Sequence, residues 1–452
     1  MDRRTMVFES LPVRQAVFKQ IVPAVFSQMI ALLYSLADTY FVGMLNAPAQ
    51  TAAITIVYPS FVMLTAISNL FGIGGASLIA QKLGRKDIQA AREIASISFW
   101  LGLFFAVLFS LCFLLFAKPI LTLCGATEET YAFCYDYARW VIVFGGIPTI
   151  LNTLLANLVR SEGAAASASF GLSLGGILNI LSDPIFILPQ FLGFGVIGAG
   201  MATALSNLIS MVYFLLYLCC RKHDTILNIC PSHLKQTGRH LRDILSIGFP
   251  SALQYALTVV AVAAQSAFVA QYATEATAAL GIVKKLDQLP LYFSIGVANG
   301  LLPLLAYTHS ASNDLRRKNA FRFGTAISVG FALFCVIVYE CFAPQLAALF
   351  ISDGQTILYG ASFLRRMVLA MPFMAFCYPM IIQFQAMGKV KEALTVSILR
   401  KGVLDVPLLF LMDRLFPLYG CMWVQPMVDS FSLVIASILY FNMMKGERHE
   451  LR

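Results

Sequence analysis

Charged residues are scarce in this chain. Only 12% of its 452 positions are Asp, Glu, Lys or Arg, while 59% are hydrophobic; a soluble domain usually carries about 25% charged residues. That scarcity excludes a soluble globular protein and leaves a polytopic membrane protein. Histidine is rarer still. The five, at 223, 233, 240, 309 and 449, all fall in or beside basic connecting segments, so no Ser/His/Asp or metal-hydrolase constellation exists. A phosphate-binding loop is also missing. Gly72-Ile-Gly74-Gly75 has no strand before it and no Lys-Ser/Thr after it, so it reads as close helix packing and ATP is excluded as the energy source. Ten cysteines show neither zinc-ligand nor disulfide-framework spacing and read as small apolar packing residues. The apolar runs lack the alternation over about 10 residues that barrel strands need.

What is present is a series of long apolar runs. Twelve spans are predicted, roughly 16–43, 52–80, 93–117, 132–157, 165–189, 195–218, 243–270, 277–306, 320–343, 361–387, 395–416 and 418–444. The first lacks a small-residue cleavage site and reads as a retained helix, not a signal peptide. Basic residues fall on alternate connections. One set holds Arg3, Arg4, Arg14 and Lys19, then Lys82, Arg85, Lys86 and Arg92, then Arg160, then Arg221, Lys222, Lys235, Arg239 and Arg242. It continues with Arg316, Arg317, Lys318 and Arg322, then Lys389, Lys391, Arg400 and Lys401, and ends with Lys445, Arg448 and Arg452. These are 25 of the 32 Lys and Arg; the connections near 44–51, 189–195 and 271–276 hold none. The positive-inside rule puts both termini in the cytoplasm of a plasma (inner) membrane protein. The net charge of +9 follows from this topology. Dispersed over seven segments, it is no nucleic-acid footprint.

The chain is also written twice. Asp183-Pro-Ile-Phe-Ile-Leu188 aligns with Asp405-Val-Pro-Leu-Leu-Phe410 at a shift of 222, and the same shift carries Gly198 onto Gly420 and Asn207 onto Asp429. Phe41-Val42 meets Phe268-Val269 and Asp87 meets Asp314 at 227; Gly163 meets Gly388 at 225. Half of 452 is 226, so one duplication explains them all. The expected domains are an N-terminal lobe (1–218), a basic cytoplasmic linker (219–242) and a C-terminal lobe (243–452). Six spans per half start both halves on the same side, which makes the repeat parallel.

Against this background a few buried polar residues stand out. Asp183, in Asn179-Ile-Leu-Ser-Asp183-Pro184, sits inside an apolar run, and Asp38 lies near the end of the first. An unpaired carboxylate at membrane depth costs about 2.5–3.5 kcal/mol on insertion scales, so these two point to ion or proton handling. Lys284, Lys285 and Asp287 fall about two turns into the eighth span and read as a structural ion pair or part of a substrate pathway. Asp136 and Arg139 are three apart and are expected to pair locally. Asp405, with Arg400 and Lys401 close by, is expected to be structural.

Ala37-Asp38-Thr-Tyr-Phe-Val-Gly43, Gly72-Ile-Gly74-Gly75-Ala-Ser77, Gln81-Lys-Leu-Gly84 and Asn157-Leu-Val-Arg160-Ser-Glu162-Gly163 come in order, followed by Asn179 through Pro184 and Gly198-Ala-Gly-Met-Ala202-Thr203. Gln385-Ala-Met-Gly388-Lys389 and Trp423-Val-Gln-Pro426 complete the series. In this order and spacing the chain resembles the multidrug and toxic compound extrusion (MATE) family, especially its bacterial multidrug-efflux branch. The resemblance implies an all-α integral membrane fold of twelve transmembrane helices, in two six-helix lobes around a V-shaped central cavity. It implies an antiporter, not an enzyme, that exports organic cations and other amphipathic compounds in exchange for Na⁺ or H⁺, with no cofactor beyond the coupling ion. Asp38, Asn179, Asp183 and Thr203 match the family's first-lobe cation site, and Asn157 resembles a further polar position there. Some members place a coupling acid early in the seventh span; here Pro250-Ser-Ala-Leu-Gln254-Tyr255 has no carboxylate, so the first lobe is the expected site.

The chemistry agrees. Na⁺ is a hard cation that wants oxygen ligands, and Asp38, Asn179 and Asp183 are the expected metal ligands if sodium is coupled. A proton can use the same place, because two close carboxylates in low dielectric readily hold one proton between them. Tyr34, one turn before Asp38, is expected in the substrate cavity with Gln254, Tyr255 and Asp287, since aromatic faces attract organic cations. Pro23, 15 residues before Asp38, is the expected hinge, because an interior proline removes a backbone hydrogen bond. Expected partners are small cationic or amphipathic substrates and the lipid bilayer, with no nucleic acid, and the expected state is a monomer. Two other readings stay open: a flippase for a lipid-linked or polysaccharide precursor, and a major facilitator-type transporter.

Overall fold

The computed structural model describes residues 6–45, 47–221 and 224–450. Arg3, Arg4, Lys222, His223 and Arg452, and the side chains of Arg448 and His449, lie outside what is described. The described residues are almost entirely helical, with no strand among them. The first half contains α1 (Val13–Gly43), α2 (Pro48–Gly84), α3 (Ile88–Leu123), α4 (Glu128–Phe144 and Gly146–Ser161, bent by 45°), α5 (Ala165–Ile187) and α6 (Val196–Cys220). The second contains α7 (Thr237–Ala270), α8 (Thr274–Ser310), α9 (Asp314–Ala348), α10 (Gly354–Ala386), α11 (Val390–Ile398 and Asp405–Leu415) and α12 (Gly420–Glu450). Ten of these are long and apolar enough to cross a membrane as single helices, and the bent α4 makes eleven. The twelfth, α11, is broken at Lys401 and Gly402. Together they form the twelve-helix, two-lobe membrane fold.

Local chemistry sets the helix ends. Pro48 opens α2 at a position where its missing N–H is no loss. Asp87 caps α3 by accepting from Ala90 N (3.0 Å), Asn313 caps α9 at Arg316 N (3.1 Å), and Asp353 caps α10 at Thr356 N (2.8 Å). Two local expectations give way. Arg139 lies over the Phe144 ring (5.6 Å) and is in no ion pair with Asp136: the backbone between them is still α-helical, but the guanidinium turns toward the wider turn of Arg139–Phe144 that follows. The seventh helix begins at Thr237 and not at 243, as a polar lead-in to the apolar run.

The duplication is visible in the backbone. Phe116 in α3 and Phe342 in α9, 226 apart, carry the same non-helical kink (φ −115°, ψ 23° and φ −116°, ψ 19°). Each stands shortly before a proline, Pro119 or Pro344, whose ring disfavours helical geometry upstream. Lys86 and Ser312, also 226 apart, share positive φ (61° and 56°), as do Gly163 and Gly388 (82° and 68°).

Among the described residues, three apolar cores divide the molecule. One lies wholly in the first lobe, from Val42 to Ala199, and one wholly in the second, from Val269 to Val428. The third spans both lobes at the end where the basic connections cluster. Close backbone approach draws the lobes together there. A Cβ on Gly248 of α7 would collide with Leu70 O of α2, and one on Gly74 with Ile244 O. Gly296 and Gly300 of α8 sit against Val25 and Gln20 of α1 (2.6 and 2.8 Å from an added Cβ). Ser77 Oγ and Gln81 Nε2 donate across the lobes to the carbonyls of Gln385 and Ala386 (2.9 and 3.1 Å). Toward the opposite end each lobe keeps its own core.

The link between lobes is strapped to the first one. Thr225 Oγ1 and Ile226 N donate to the Glu162 carboxylate (2.8 and 3.1 Å). Ser96 Oγ and Trp100 Nε1 donate to the carbonyls of Cys230 and Ile229 (2.7 and 3.0 Å).

Candidate functional site

In α5, Asn179 and Asp183 are four residues apart and share one face; both are buried, Asp183 completely. That face meets α6, where Asn179 Nδ2 donates to Thr203 Oγ1 (3.3 Å). It also meets α1. Gly176 has no side chain to hold Tyr34 away, and an added Cβ there would stand 3.5 Å from the Tyr34 ring and closer still to Ile30. One turn on, Asp38 comes near enough to Asp183 for their charges to repel. Tyr34 and Tyr137 lie within electrostatic range of both carboxylates and hydrogen-bond to neither.

Four oxygens in this cluster have no hydrogen-bond donor: Asn179 Oδ1, both oxygens of Asp183, and Asp38 Oδ1. Buried acceptors are nearly always paired, and a buried carboxylate without a donor costs several kcal/mol. An all-oxygen set carrying two negative charges fits Na⁺, and equally fits a proton held between the acids. No group of three or more His, Cys, Asp or Glu placed to hold a metal ion is found among the described residues; here the two acids are joined by amide and hydroxyl oxygens, a hard-cation set.

Asp38, Asn179, Asp183, Thr203 and Tyr34 are thus brought together. Asn157 is not. It lies about 6 Å along the helix from the basic end of α4, whereas Asn179 is about 21 Å into α5; its Oδ1 accepts from Arg160 Nη1 (2.9 Å) and it packs on Gly72. Pro23 sits in a continuous α1, about 22 Å along the helix from Asp38.

Tyrosines from both lobes come close to one another between them. Tyr292 of α8 lies within electrostatic reach of Tyr34, Tyr58, Tyr255 and Tyr378, and all five stay at least partly accessible. Beside Tyr255, Gln254 is buried with its Nε2 unpaired. Tyr58, Tyr137, Tyr292 and Tyr378 carry no signal in the sequence, since an aromatic in an apolar span is ordinarily packing. Lys285 Nζ of α8 reaches across the lobes to donate to Thr39 Oγ1 (3.3 Å), which brings its charge toward Asp38. Lys284 and Asp287 form no ion pair within 4 Å; both stand among the charges of α11 and α12.

The profile of the MatE family matches residues 23–185 and 250–411, one segment in each lobe. The Multidrug export protein MepA of Staphylococcus saprophyticus is 29% identical over 441 residues, covering 97% of this chain and 96% of that protein. A crystal structure of MATE in complex with MaL6 superposes with a TM-score of 0.90 at 25% identity, covering all of both chains. The outward-facing conformation of a multidrug resistance MATE family transporter matches in fold, with a TM-score of 0.88 at 24% identity over 100% of this chain and 97% of that one. These matches set aside the major facilitator reading.

Proposed function

The chain belongs to the MatE family, whose members are transporters and not enzymes, and from that premise we propose that it is a cation-coupled antiporter. In this reading it exports organic-cation and other amphipathic drugs in exchange for Na⁺ or H⁺, taken up at Asp38, Asn179, Asp183 and Thr203. One observation carries the proposal: two neighbouring carboxylates and an amide present four donor-free oxygens inside an apolar lobe. Such a group stays ionised only with a cation, so its occupancy tracks the ion gradient.

The basic end, where the lobes share a core, faces the cytoplasm of the plasma membrane by the positive-inside rule. The separate cores at the other end leave the cavity open to the outside, where the coupling cation is abundant. Binding draws Asp38 of α1 toward Asp183 and Asn179 of α5. Pro23, which cannot donate a backbone hydrogen bond, lets α1 bend or repack. The tyrosines of the cavity lose their arrangement around the drug, which leaves outward. The lobes then rock about the basic-side contacts and release the cation inside. Five tyrosines suit flat or cationic amphiphiles, in keeping with the multidrug export named for the relatives.

Replacing Asp38 or Asp183 with Asn tests this in cells that accumulate ethidium. Both variants are expected at normal membrane levels with efflux lost; full efflux in D183N would rule out the mechanism. Efflux absent even from the wild type would favour a flippase for a lipid-linked precursor.

A further inference from the structure

The duplication reaches the cation site itself. The shift of 222 that carries Asp183 onto Asp405 also carries Asn179 onto Lys401 and Thr203 onto Gln425. The contact is repeated with it. Asn179 Nδ2 donates to Thr203 Oγ1 between α5 and α6 (3.3 Å), and Lys401 Nζ donates to Gln425 Oε1 between α11 and α12 (2.7 Å).

The charge is not repeated. In the first lobe Asp38 and Asp183 face each other with no ion pair to either. In the second, three acids and three bases gather: Asp287, Asp405 and Asp429 with Lys284, Arg400 and Lys401. Arg400 Nε pairs with Asp429 Oδ1 (2.9 Å), both side chains fully buried. Asp405 Oδ2 accepts from Gly402 N (3.0 Å). Lys401 lies within electrostatic range of both Asp287 and Asp405 without an ion pair to either within 4 Å, and its Nζ is held by Gln425. The backbone is adapted to this. At Asn179 α5 runs straight through, whereas α11 leaves helical geometry at Lys401 (φ −141°, ψ 70°) and restarts with Asp405 in its first turn.

We propose that the Lys401 ammonium is a tethered cation that fills, in the second lobe, the place the coupling ion takes in the first, so that only one of the two duplicated sites exchanges its cation with water. This rests on the first-lobe reading above. A tethered ammonium competes at an effective concentration of about millimolar or higher and never has to be recaptured from solution. Uptake is then confined to one lobe, and a single cation drives each cycle.

The test measures cation binding to purified full-length protein, with radioactive Na⁺ at fixed pH and with proton uptake from sodium-free buffer read by a pH dye. Wild type is expected to bind one cation and D183N none. In the D183N background, K401N installs the residue of the first lobe and should regain one cation, while K401R should regain none. Folded D183N/K401N protein with no gain would overturn the assignment. A cation that survives D183N and is lost in D405N would also overturn it, because exchange would then lie in the second lobe. A cation insensitive to both substitutions would overturn the first-lobe reading and this inference with it. Should K401N not fold, wild-type stoichiometry decides: two cations per chain overturn the proposal, and one that is lost in D183N upholds it.

Discussion

Asp183 is completely buried, and both of its oxygens lack a donor. Function and stability therefore pull in opposite directions at this position. Asn keeps the shape and removes the charge, so D183N is expected to raise the thermal unfolding midpoint by a few degrees while abolishing efflux. Differential scanning fluorimetry in detergent reads the first effect; a fall in the midpoint would show that the carboxylate is held by bonds and is not in need of a cation. Arg400 and Asp429 are the opposite case, a buried pair made within the protein. Truncating one partner strands the other, so D429A should cost about 3–5 kcal/mol, seen as a large drop in the midpoint. An unchanged midpoint would mean that water reaches Arg400. Asp183 was legible in the sequence because a charge in an apolar run is expensive, and Asn179 because four residues make one helix face. Thr203 and Asp38 were placed by resemblance as much as by chemistry. Tyr58 and Tyr292 were not legible: nothing in an apolar span separates a tyrosine facing the other lobe from a packing one. Asn157 shows the converse, a buried amide that looked like a ligand and serves Arg160.

At the scale of the element, α1 and α11 depart most usefully from plain helices. α1 is continuous through Pro23, so its capacity to bend rests on one missing hydrogen bond. P23A restores that bond and is expected to cut efflux several-fold while leaving cation binding intact. Equal losses of binding and efflux would assign Pro23 to packing alone. The spans themselves were legible because unbroken apolar length is a strong signal, and the structure extends most of them by a few residues into polar turns. The bends were harder to see. The 45° bend in α4 falls at Gly145–Gly146, and the break in α11 at Lys401–Gly402; glycine permits either a straight or a broken helix, so sequence alone does not choose. The matched kinks at Phe116 and Phe342 became evident only as a pair, once both halves had been folded.

For the whole molecule, the arrangement of the three cores is the central fact. A shared core joins the lobes at the basic end, and each lobe keeps a core of its own at the other. In the proposed cycle, rocking breaks the contacts of α2 with α7 and of α1 with α8, and Gly248 against Leu70 is the tightest of these. G248V should wedge the basic side apart. Ethidium efflux is expected to fall at least about tenfold, since closure there is lost, while Na⁺ or H⁺ binding at Asp183, far along the membrane normal, persists. Wild-type efflux in G248V would mean that this contact does not open and close in the cycle. The duplication announced two lobes, but not where they touch; that depends on small residues meeting across lobes, a property of pairs and not of either half alone.

The most direct measurement is ethidium transport by wild-type and D183N protein in liposomes, with a Na⁺ gradient and a pH gradient imposed separately. Wild type should drive ethidium against its gradient under one of the two, identifying the coupling ion, and D183N should be silent under both. Ethidium transport by D183N at the wild-type rate under the same gradient would contradict the assignment of the coupling site to the first lobe.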